Sequence, residues 1–330
     1  MTWQPPKLED LRDRRLRYVR ISVTDRCQFR CPYCRPEHGE APCEPQADYL
    51  TASELARVVK VLTTIGIRTV RFTGGEPLLR RDLPSIIRAV NDVGIDDMAI
   101  TTNAALLTPK RARQLTDAGL KRINISLDTL DPQRFKRLSG GAPIEPVLRG
   151  IKAVREAGIQ LKTNTVVVRG QNENELEHIA QFVWSQGGIP RFIEVMPMGA
   201  GKELTMVPAD EIMQSFELTP ERPEAINQKG IGPADYWIHQ GRKDQVLGVI
   251  AATTRNFCSS CNRIRITATG SVRPCLASAC GTELRPLLRK TTTTDHELVQ
   301  AIYSALAIKP DGHRFSEGIA GELPMMSLGG

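Results

Sequence analysis

Two groups of three cysteines are the residues of this sequence whose types and spacing point most directly to chemistry. The first group occupies the stretch CQFRCPYC, and the second is more widely spaced. Their members are Cys27, Cys31 and Cys34 in the first group and Cys258, Cys261 and Cys275 in the second. A structural zinc site normally has four protein ligands, whereas each group supplies three thiols. Three thiolates suit a [4Fe-4S] cluster whose fourth iron stays open to another molecule, so we expect such a cluster at the first group.

Spacing alone leaves other interpretations open. The first group could be part of a zinc site or a coincidence, and the second could be a zinc ribbon in which Cys280 is an off-pattern fourth ligand. Disulfides are not expected. The amino-terminal stretch MTWQPPKLEDLRDRR has no apolar segment resembling a secretion signal, and no apolar run approaches membrane-spanning length. The sequence therefore predicts a cytoplasmic protein with reduced thiols.

The composition is that of an enzyme-sized globular protein with a basic surplus. Its 330 residues are 41% hydrophobic and 25% charged, and the formal net charge is +7. This charge would suit nucleic acid, an anionic membrane or a polyanionic small substrate. The basic run from Arg12 to Arg17 contains an acid and predicts a solvated helix face, and an aromatic content of 5% argues against a base-stacking RNA surface. We expect neither nucleic acid nor a membrane as partner.

The elements that must position the cysteines follow a regular alternation. Short β-branched runs alternate with helix-period segments, which predicts parallel βαβ units with right-handed crossovers. The six predicted strands are 17–24, 68–73, 98–102, 121–127, 159–168 and 189–195. After Pro208 the pattern changes to shorter strands and a Pro- and Gly-rich stretch.

Five of these strands carry polar residues at alternate positions, so that the polar side chains share one face of the strand. A flat parallel sheet that helices cover on both faces would instead carry apolar residues on both faces. The residues on the polar face are Tyr18, Arg20, Ser22, Arg71, Thr73, Asn124, Ser126, Asp128, Lys162, Asn164, Glu194 and Met196. A barrel with helices outside and a polar lumen accounts for this pattern. We predict an α/β fold in which residues 1–207 form a partial, open TIM-like (β/α)6 barrel. Residues 208–330 form an α+β extension that closes its open side.

Further motifs follow the predicted strands or accompany the second cysteine group. TGGEP ends the second strand, TTN the third and SLD the fourth, which places them with the first cysteine group at the carboxyl rim. By themselves these motifs could be a tight turn and strand-end caps. Arg263 and Arg265 alternate on a strand beside the second cysteine group, and paired guanidinium groups suit a phosphate-bearing ligand.

CQFRCPYC resembles the CxxxCxΦC signature of the radical S-adenosylmethionine superfamily, and TGGEP resembles that superfamily's GGEP element. With TTN, SLD, FIEVMPMG, FCSSCNRIR before Cys275, and the terminal Gly-Gly, nearly the whole sequence is similar to the MoaA family of GTP 3′,8-cyclases. The resemblance implies a lyase that converts GTP and S-adenosylmethionine to 3′,8-cyclo-7,8-dihydro-GTP by a 5′-deoxyadenosyl radical mechanism. This reaction is the first step of molybdenum cofactor biosynthesis.

The resemblance also implies roles for individual residues. Each cysteine group would hold a [4Fe-4S] cluster, the first facing S-adenosylmethionine and the second the guanine of GTP. The implied S-adenosylmethionine contacts are Tyr33, Gly75, Ser126 and Met196. The implied GTP contacts are Arg20, Arg71, Thr102, Lys162, Arg263, Ile264 and Arg265. Arg20, Arg263, Arg265, Gly329 and Gly330 would take part in catalysis.

The implied partners are GTP, a one-electron reductase or flavodoxin-type donor, a downstream cyclic pyranopterin synthase and a second copy in a homodimer. Arg35, Ala104 and the ending MSLGG depart from the family's usual pattern, and Cys43 and Cys280 match no family ligand. Two other functions compete with this interpretation. One is a different radical S-adenosylmethionine enzyme with an auxiliary cluster, such as a peptide modifier, and the other is a zinc-containing, basic nucleic-acid-binding protein.

Overall fold

A computed structural model describes residues 7–35, 43–219, 232–278, 280–313, 315 and 325. Gly329 and Gly330, for which a catalytic role is expected, lie outside the described residues. No helix in these ranges combines the length and apolar character needed to cross a bilayer.

A six-stranded parallel sheet, in chain order, forms the centre of the molecule. Its strands are β1 (Tyr18–Ser22), β2 (Thr69–Thr73), β3 (Asp97–Thr102), β4 (Arg122–Ser126), β5 (Gln160–Val167) and β6 (Arg191–Glu194). The helices in the same part of the chain are α1 (Ala52–Thr64), α2 (Leu83–Asn91), α3 (Pro109–Asp117), α4 (Pro132–Leu138), α5 (Glu145–Glu156) and α6 (Leu176–Ser185). All six predicted strands are confirmed, and every strand end lies within two residues of its predicted position because the β-branched runs define the strands.

The carboxy-terminal part of the chain extends both edges of this sheet. Its elements are α7 (Ala209–Gln214), β7 (Asp235–His239), β8 (Arg242–Ile250), β9 (Arg263–Ile266), β10 (Ser271–Arg273), β11 (Thr282–Glu283), α8 (Arg285–Arg289) and α9 (Asp295–Ala307). β8 pairs in parallel with β6, and β9 pairs in parallel with β1. Among the described residues β7 and β11 remain the two outer strands, so the sheet is an unclosed partial barrel. The extension contributes edge strands and does not close the barrel by strand pairing.

The helices bury one face against the sheet, as α1 illustrates. Thr51 begins this helix with a capping box: its side chain accepts a hydrogen bond from the Glu54 backbone, and Glu54 accepts one from the Thr51 backbone. Its buried residues recur at helical spacing and include Leu55, Val58 and Leu62. They belong to one continuous apolar core that also includes Ile21 of β1.

On most strands of the barrel, alternate side chains face the apolar core and the lumen. Val19 and Ile21 of β1 lie in the core, while Tyr18 and Arg20 line a cavity inside the barrel. The predicted phase is wrong for β6, where Ile193 faces the cavity and Glu194 is fully buried on the other side. Both phases of β6 carry a charged residue, so alternation alone cannot identify the lumen side.

Candidate functional site

The first cysteine group lines a cavity at the carboxyl ends of β1 to β4. Cys27, Cys31 and Cys34 all contribute to its wall, together with Gly75 and Ser126 from the neighbouring strand ends. All three cysteines are free thiols. The loop that carries them is attached to the carboxyl end of α4, because the Arg30 N–H donates a hydrogen bond to the Ser139 carbonyl at 2.8 Å.

The two glycines of TGGEP lie against the backbone that leads into the cysteine loop. The Gly75 N–H donates to the Thr24 carbonyl at 2.8 Å, and the Glu76 N–H donates to the Arg26 carbonyl at 2.7 Å. A Cβ at Gly74 would lie 2.2 Å from the Thr24 oxygen, and one at Gly75 would lie 2.2 Å from the Arg26 oxygen. Both positions therefore require glycine for close packing against the cysteine loop itself.

Glu76 connects the ends of β2 and β3. Its carboxylate accepts hydrogen bonds from the Thr102 hydroxyl at 2.5 Å, the Asn103 N–H at 2.7 Å and the Leu78 N–H at 2.9 Å. Burial raises the pKa of Glu76 to about 7, although these donors act to lower it. Asn103 in turn directs its side-chain amide to the Cys27 sulfur at 3.9 Å.

Tyr33 and Asp128 form a second polar pair across the same cavity. The Tyr33 hydroxyl donates to Asp128 Oδ2 at 2.6 Å, and Asp128 Oδ1 accepts from the Val166 N–H at 2.8 Å. Burial raises the pKa of Asp128 to about 6. Tyr33 is thus held by β4 and β5 and lines both this cavity and the next.

The first cysteine group has the donor set that an iron–sulfur cluster requires. Burial raises the pKa of Cys27 to about 11, and burial followed by neighbouring charges, including those of Cys34 and Cys27, raises that of Cys31. Thiols that hold their protons in this way become thiolates when a metal replaces the proton. The Phe29 N–H, 3.4 Å from the Cys27 sulfur, adds a donor that stabilises a ligand thiolate.

A second, larger cavity inside the barrel is lined by the second cysteine group and by five arginines. Cys258, Cys261 and Cys275 are all free thiols in its wall. The arginines are Arg20, Arg71, Arg191, Arg263 and Arg265. This cavity shares Tyr33, Thr101, Ser126 and Met325 with the first one, so the two are contiguous.

Sheet register collects the arginines from distant parts of the chain. Arg20 of β1 lies opposite Arg71 of β2 and opposite Arg265 of β9. Paired residues on adjacent strands project from the same face about 5 Å apart, so three guanidinium groups share one row of the sheet. Arg191 reaches the cavity from β6.

The arginines lie close together in an environment that disfavours positive charge. Burial, followed by the charges of neighbouring arginines, lowers the pKa of Arg20 and lowers that of Arg265 to about 10. Burial also lowers the pKa of Arg191 to about 10. In the described part of the chain no carboxylate lines this cavity, and Arg71, Arg191 and Arg263 form no ion pair there. Buried polar atoms Arg71 Nε and Arg191 Nη2 have no hydrogen-bond partner there either, an arrangement suited to a polyanion.

Cationic donors surround the second cysteine group. The Lys309 ammonium and the Arg263 guanidinium each lie 3.7 Å from the Cys261 sulfur. Burial would raise the pKa of Cys261, but the charges of Arg263 and Lys309 outweigh it and lower the pKa to about 7. This donor set suits thiolate ligands. In the described residues no group of three or more His, Cys, Asp or Glu side chains surrounds a position for a single metal ion.

The two cysteine groups lie at opposite ends of one strand pair. Cys27 follows the carboxyl end of β1, whereas Cys261 precedes the amino end of β9, which runs parallel to β1. The five residues of β1 correspond to a length of about 17 Å. The contiguous cavities therefore have three thiols at each end and the arginine row between them.

The remaining predicted contacts fall in different places. Met196 lines the second cavity and Thr102 the first. Lys162 lines neither described cavity and donates to the Tyr236 hydroxyl at 2.8 Å. Ile264 is fully buried in the apolar core, so its side chain faces away from the cavity, and only its backbone could contact a ligand.

Sequence reasoning missed Arg191 as a cavity residue and did not assign functions to Glu76 or Asp128. Arg191 follows a proline at the start of a short strand, and the phase expected for that strand pointed it outward. TGGEP and SLD contain Glu76 and Asp128, but their partners come from other strands and have no local signal.

Two family models match the chain. The model of the radical SAM superfamily matches residues 21–183, and the model described as Molybdenum Cofactor Synthesis C matches residues 190–315. A GTP 3′,8-cyclase of Pelotomaculum thermopropionicum is 39% identical over 98% of this chain and all of the relative. A protein of the same name from Paracoccus denitrificans is 40% identical over 92% of this chain and 88% of the relative.

Solved structures share the fold at much lower identity. Streptococcus suis SuiB bound to S-adenosylmethionine superposes with a TM-score of 0.61 at 17% identity, covering 89% of this chain and 68% of SuiB. SuiB bound to its precursor peptide SuiA gives the same TM-score at 16% identity, covering 96% of this chain and 71% of that one. At these identities the likeness supports the fold alone.

Proposed function

The chain belongs to the GTP 3′,8-cyclase family of radical S-adenosylmethionine enzymes, and from this premise we propose how its two contiguous cavities divide the reaction. The protein is an enzyme that converts GTP to 3′,8-cyclo-7,8-dihydro-GTP, the first step of molybdenum cofactor biosynthesis. It uses S-adenosylmethionine and [4Fe-4S] clusters. The assignment of individual residues to these ligands is our proposal.

Each cysteine group holds one cluster in this proposal. Cys27, Cys31 and Cys34 hold the first, and Cys258, Cys261 and Cys275 hold the second. The first cluster, when bound, supplies the electron that cleaves the sulfonium of S-adenosylmethionine. The amide of Asn103 and the N–H of Phe29 stabilise the Cys27 thiolate, and Lys309 and Arg263 stabilise that of Cys261.

S-Adenosylmethionine binds in the first cavity, against Gly75, Ser126 and Tyr33. The close packing of Gly74 and Gly75 on the cysteine loop fixes the strand end that the methionine moiety meets. Met196 contacts it from the adjoining second cavity. Because Tyr33 and Ser126 line both cavities, the two ligands meet at this boundary.

GTP binds in the second cavity, with its guanine toward the second cysteine group and its triphosphate on the arginines. Arg20, Arg71 and Arg265 share one row, and Arg191 faces the same space. A triphosphate carries about four negative charges near neutral pH, and guanidinium forks bind phosphate strongly where water is excluded. These side chains orient the ribose toward the boundary with the first cavity.

One observation carries this proposal: Arg71 and Arg191, two buried arginines that form no ion pair within the described residues, line a cavity between two thiol triads. A zinc-containing nucleic-acid-binding protein would place its basic residues on the surface instead.

The test is an anaerobic turnover assay with reconstituted protein, S-adenosylmethionine, dithionite and GTP deuterated at C3′. We expect 3′,8-cyclo-7,8-dihydro-GTP and 5′-deoxyadenosine that carries the deuterium. Formation of 5′-deoxyadenosine without any cyclised nucleotide would overturn the proposal and favour the peptide-modifying alternative.

Three partners are proposed with this function. A flavodoxin-type or other one-electron reductase supplies electrons, a cyclic pyranopterin synthase takes the product, and two copies of the chain form a homodimer. A catalytic role for Gly329 and Gly330 stays a prediction, as does the cytoplasmic location. The division at residues 207 and 208 also stays a prediction.

A further inference from the structure

A polar cluster beside the arginine row contains a residue to which no function has yet been assigned. Tyr236 of β7 is buried, and its hydroxyl accepts a hydrogen bond from the Lys162 ammonium at 2.8 Å. The same ammonium lies 4.6 Å from the centre of the Tyr236 ring. Lys162 and Tyr236 lie on β5 and β7, two strands that β6 and β8 separate.

Sheet register explains how Tyr236 reaches this position. Gly248 of β8 pairs with Arg191 of β6 on one side and with Tyr236 of β7 on the other. A Cβ at Gly248 would lie 2.9 Å from Arg191 Cγ and 3.1 Å from Tyr236 Cε1. The missing side chain at Gly248 therefore allows the two large side chains to approach each other over β8.

The tyrosine oxygen lies among positive charges. Burial lowers the pKa of Lys162, the nearby charge of Arg191 lowers it further, and Tyr236 opposes both effects. Burial would raise the pKa of Tyr236, but the charges of Arg191 and Lys162 outweigh it, so the pKa is lowered. The phenol oxygen thus offsets the repulsion between two cations on adjacent strands.

We propose that Tyr236 is a positioning residue that holds Lys162 beside Arg191, which lines the second cavity, so that the charge of both cations acts on the outer phosphates of the nucleotide there. The inference rests on the proposed function, in which Arg191 and the arginine row bind the triphosphate. Tyr236 acts through the two cations and does not itself touch the guanine or ribose. Removal of the Tyr236 hydroxyl should therefore weaken the binding of a guanine nucleotide more, the more phosphates that nucleotide carries.

The test compares nucleotide binding by cluster-loaded wild type and Tyr236→Phe, measured by anaerobic calorimetry with GTP, GDP and guanosine. The variant keeps the ring and loses the hydroxyl. We expect the Kd for GTP to rise about tenfold, the value for loss of one charge-assisted hydrogen bond, and the Kd for guanosine to stay unchanged. Gly248→Ala separates Tyr236 from Arg191, so this variant should also raise the Kd for GTP relative to the Kd for guanosine. Tyr303→Phe, on α9, is the matched control and should bind all three ligands like wild type.

A double-mutant cycle distinguishes positioning from general structural support. Because Tyr236 acts through Lys162 as well as through Arg191, the double variant Lys162→Met/Tyr236→Phe should lose less GTP affinity than the sum of the two single losses. Fully additive losses, an equal loss for guanosine, or unchanged GTP binding by Tyr236→Phe would each overturn the inference. If wild type itself binds GTP no better than guanosine and forms no cyclised product, the proposed function fails, and the inference fails with it. If wild type binds GTP more tightly than guanosine and Tyr236→Phe does so to the same extent, the inference alone fails.

Discussion

Glu76 shows how a single buried carboxylate can connect the strand ends around a site. Its three donors come from the ends of β2 and β3, and one of those donors, Asn103, also contacts the Cys27 sulfur. The TGGEP motif predicts a functional strand end, yet it does not indicate that Glu76 accepts hydrogen bonds from Thr102 and Asn103 of the TTN motif. That information depends on which strand lies next to β2.

The raised pKa of Glu76 predicts a pH dependence of stability. Between its ordinary pKa of 4.5 and the folded-state pKa of about 7, the folded protein binds more protons at this site than the unfolded chain does. The free energy of unfolding should therefore fall as pH rises through that window, by up to roughly 3 kcal/mol.

Urea denaturation of the cluster-free protein at pH 5 and at pH 8 measures this effect, with Glu76→Gln as the variant. The difference between the two pH values should be smaller in Glu76→Gln by up to that amount. Asp128, whose pKa burial raises to about 6, contributes a fall of the same sign in both proteins. Identical pH dependence in the two proteins would contradict the assignment.

At the scale of elements, sequence alternation predicts the positions of β1 to β5 and the lumen faces of β1, β2, β4 and β5, because the hydrophobic residues of these four strands recur mainly on one side. Arg20 and Arg71 line the second cavity, as this alternation predicts. It fails for β6, where Arg191 and Glu194 occupy opposite phases. Glu194 is satisfied by the Ala209 N–H at 2.7 Å and the Thr253 N–H at 2.8 Å, and these partners come from distant segments.

The packing of β2 on the cysteine loop predicts that Gly75→Ala disrupts the first site. The new Cβ would lie 2.2 Å from the Arg26 carbonyl oxygen, so the loop must move. We expect S-adenosylmethionine affinity, measured by equilibrium dialysis on anaerobic protein, to fall by about tenfold or more, equivalent to about 1.4 kcal/mol.

Gly94→Ala is the control for a glycine substitution without a clash. A Cβ at Gly94 meets nothing within 4 Å, although its φ of +84° adds backbone strain. This change should lower stability by about 1 kcal/mol and leave S-adenosylmethionine binding unchanged. Wild-type binding by Gly75→Ala would show that the loop tolerates displacement.

At the scale of the whole molecule, one arginine near the amino terminus holds the second cysteine loop. Arg14 is buried and forms an ion pair with Asp10 at 2.6 Å. Its guanidinium also donates to the Cys258 carbonyl at 2.8 Å and to the Pro310 carbonyl at 2.9 Å. No sequence pattern could predict contacts across 244 and 296 residues, since they depend on β9 lying beside β1.

Arg14→Ala should therefore affect stability and the second cluster together. Removing one partner of a buried ion pair costs about 3 to 5 kcal/mol, and the Cys258 loop loses its support. Anaerobic iron analysis should give about eight irons per wild-type chain, falling towards about four in Arg14→Ala and to about four in Cys275→Ser.

Arg15→Ala is the matched control, because the ion pair of Arg15 with Glu9 is exposed. Its loss should cost less than about 1 kcal/mol and leave the iron content unchanged. An iron content near eight in Arg14→Ala would show that the loop holds its cluster without this arginine.

The pairing of β1 with β9 has a consequence for the chain during its synthesis. β2 is available soon after β1, but β9 ends at Ile266, so one edge of β1 stays unpaired until most of the chain has been synthesised. At about 5 to 20 residues per second that wait lasts roughly 10 to 50 s on the ribosome. A bare strand edge invites pairing with other chains, and an inward-pointing charge is a common protection against it. Arg20, at the middle of β1 and directed into the lumen, is a charge of this kind.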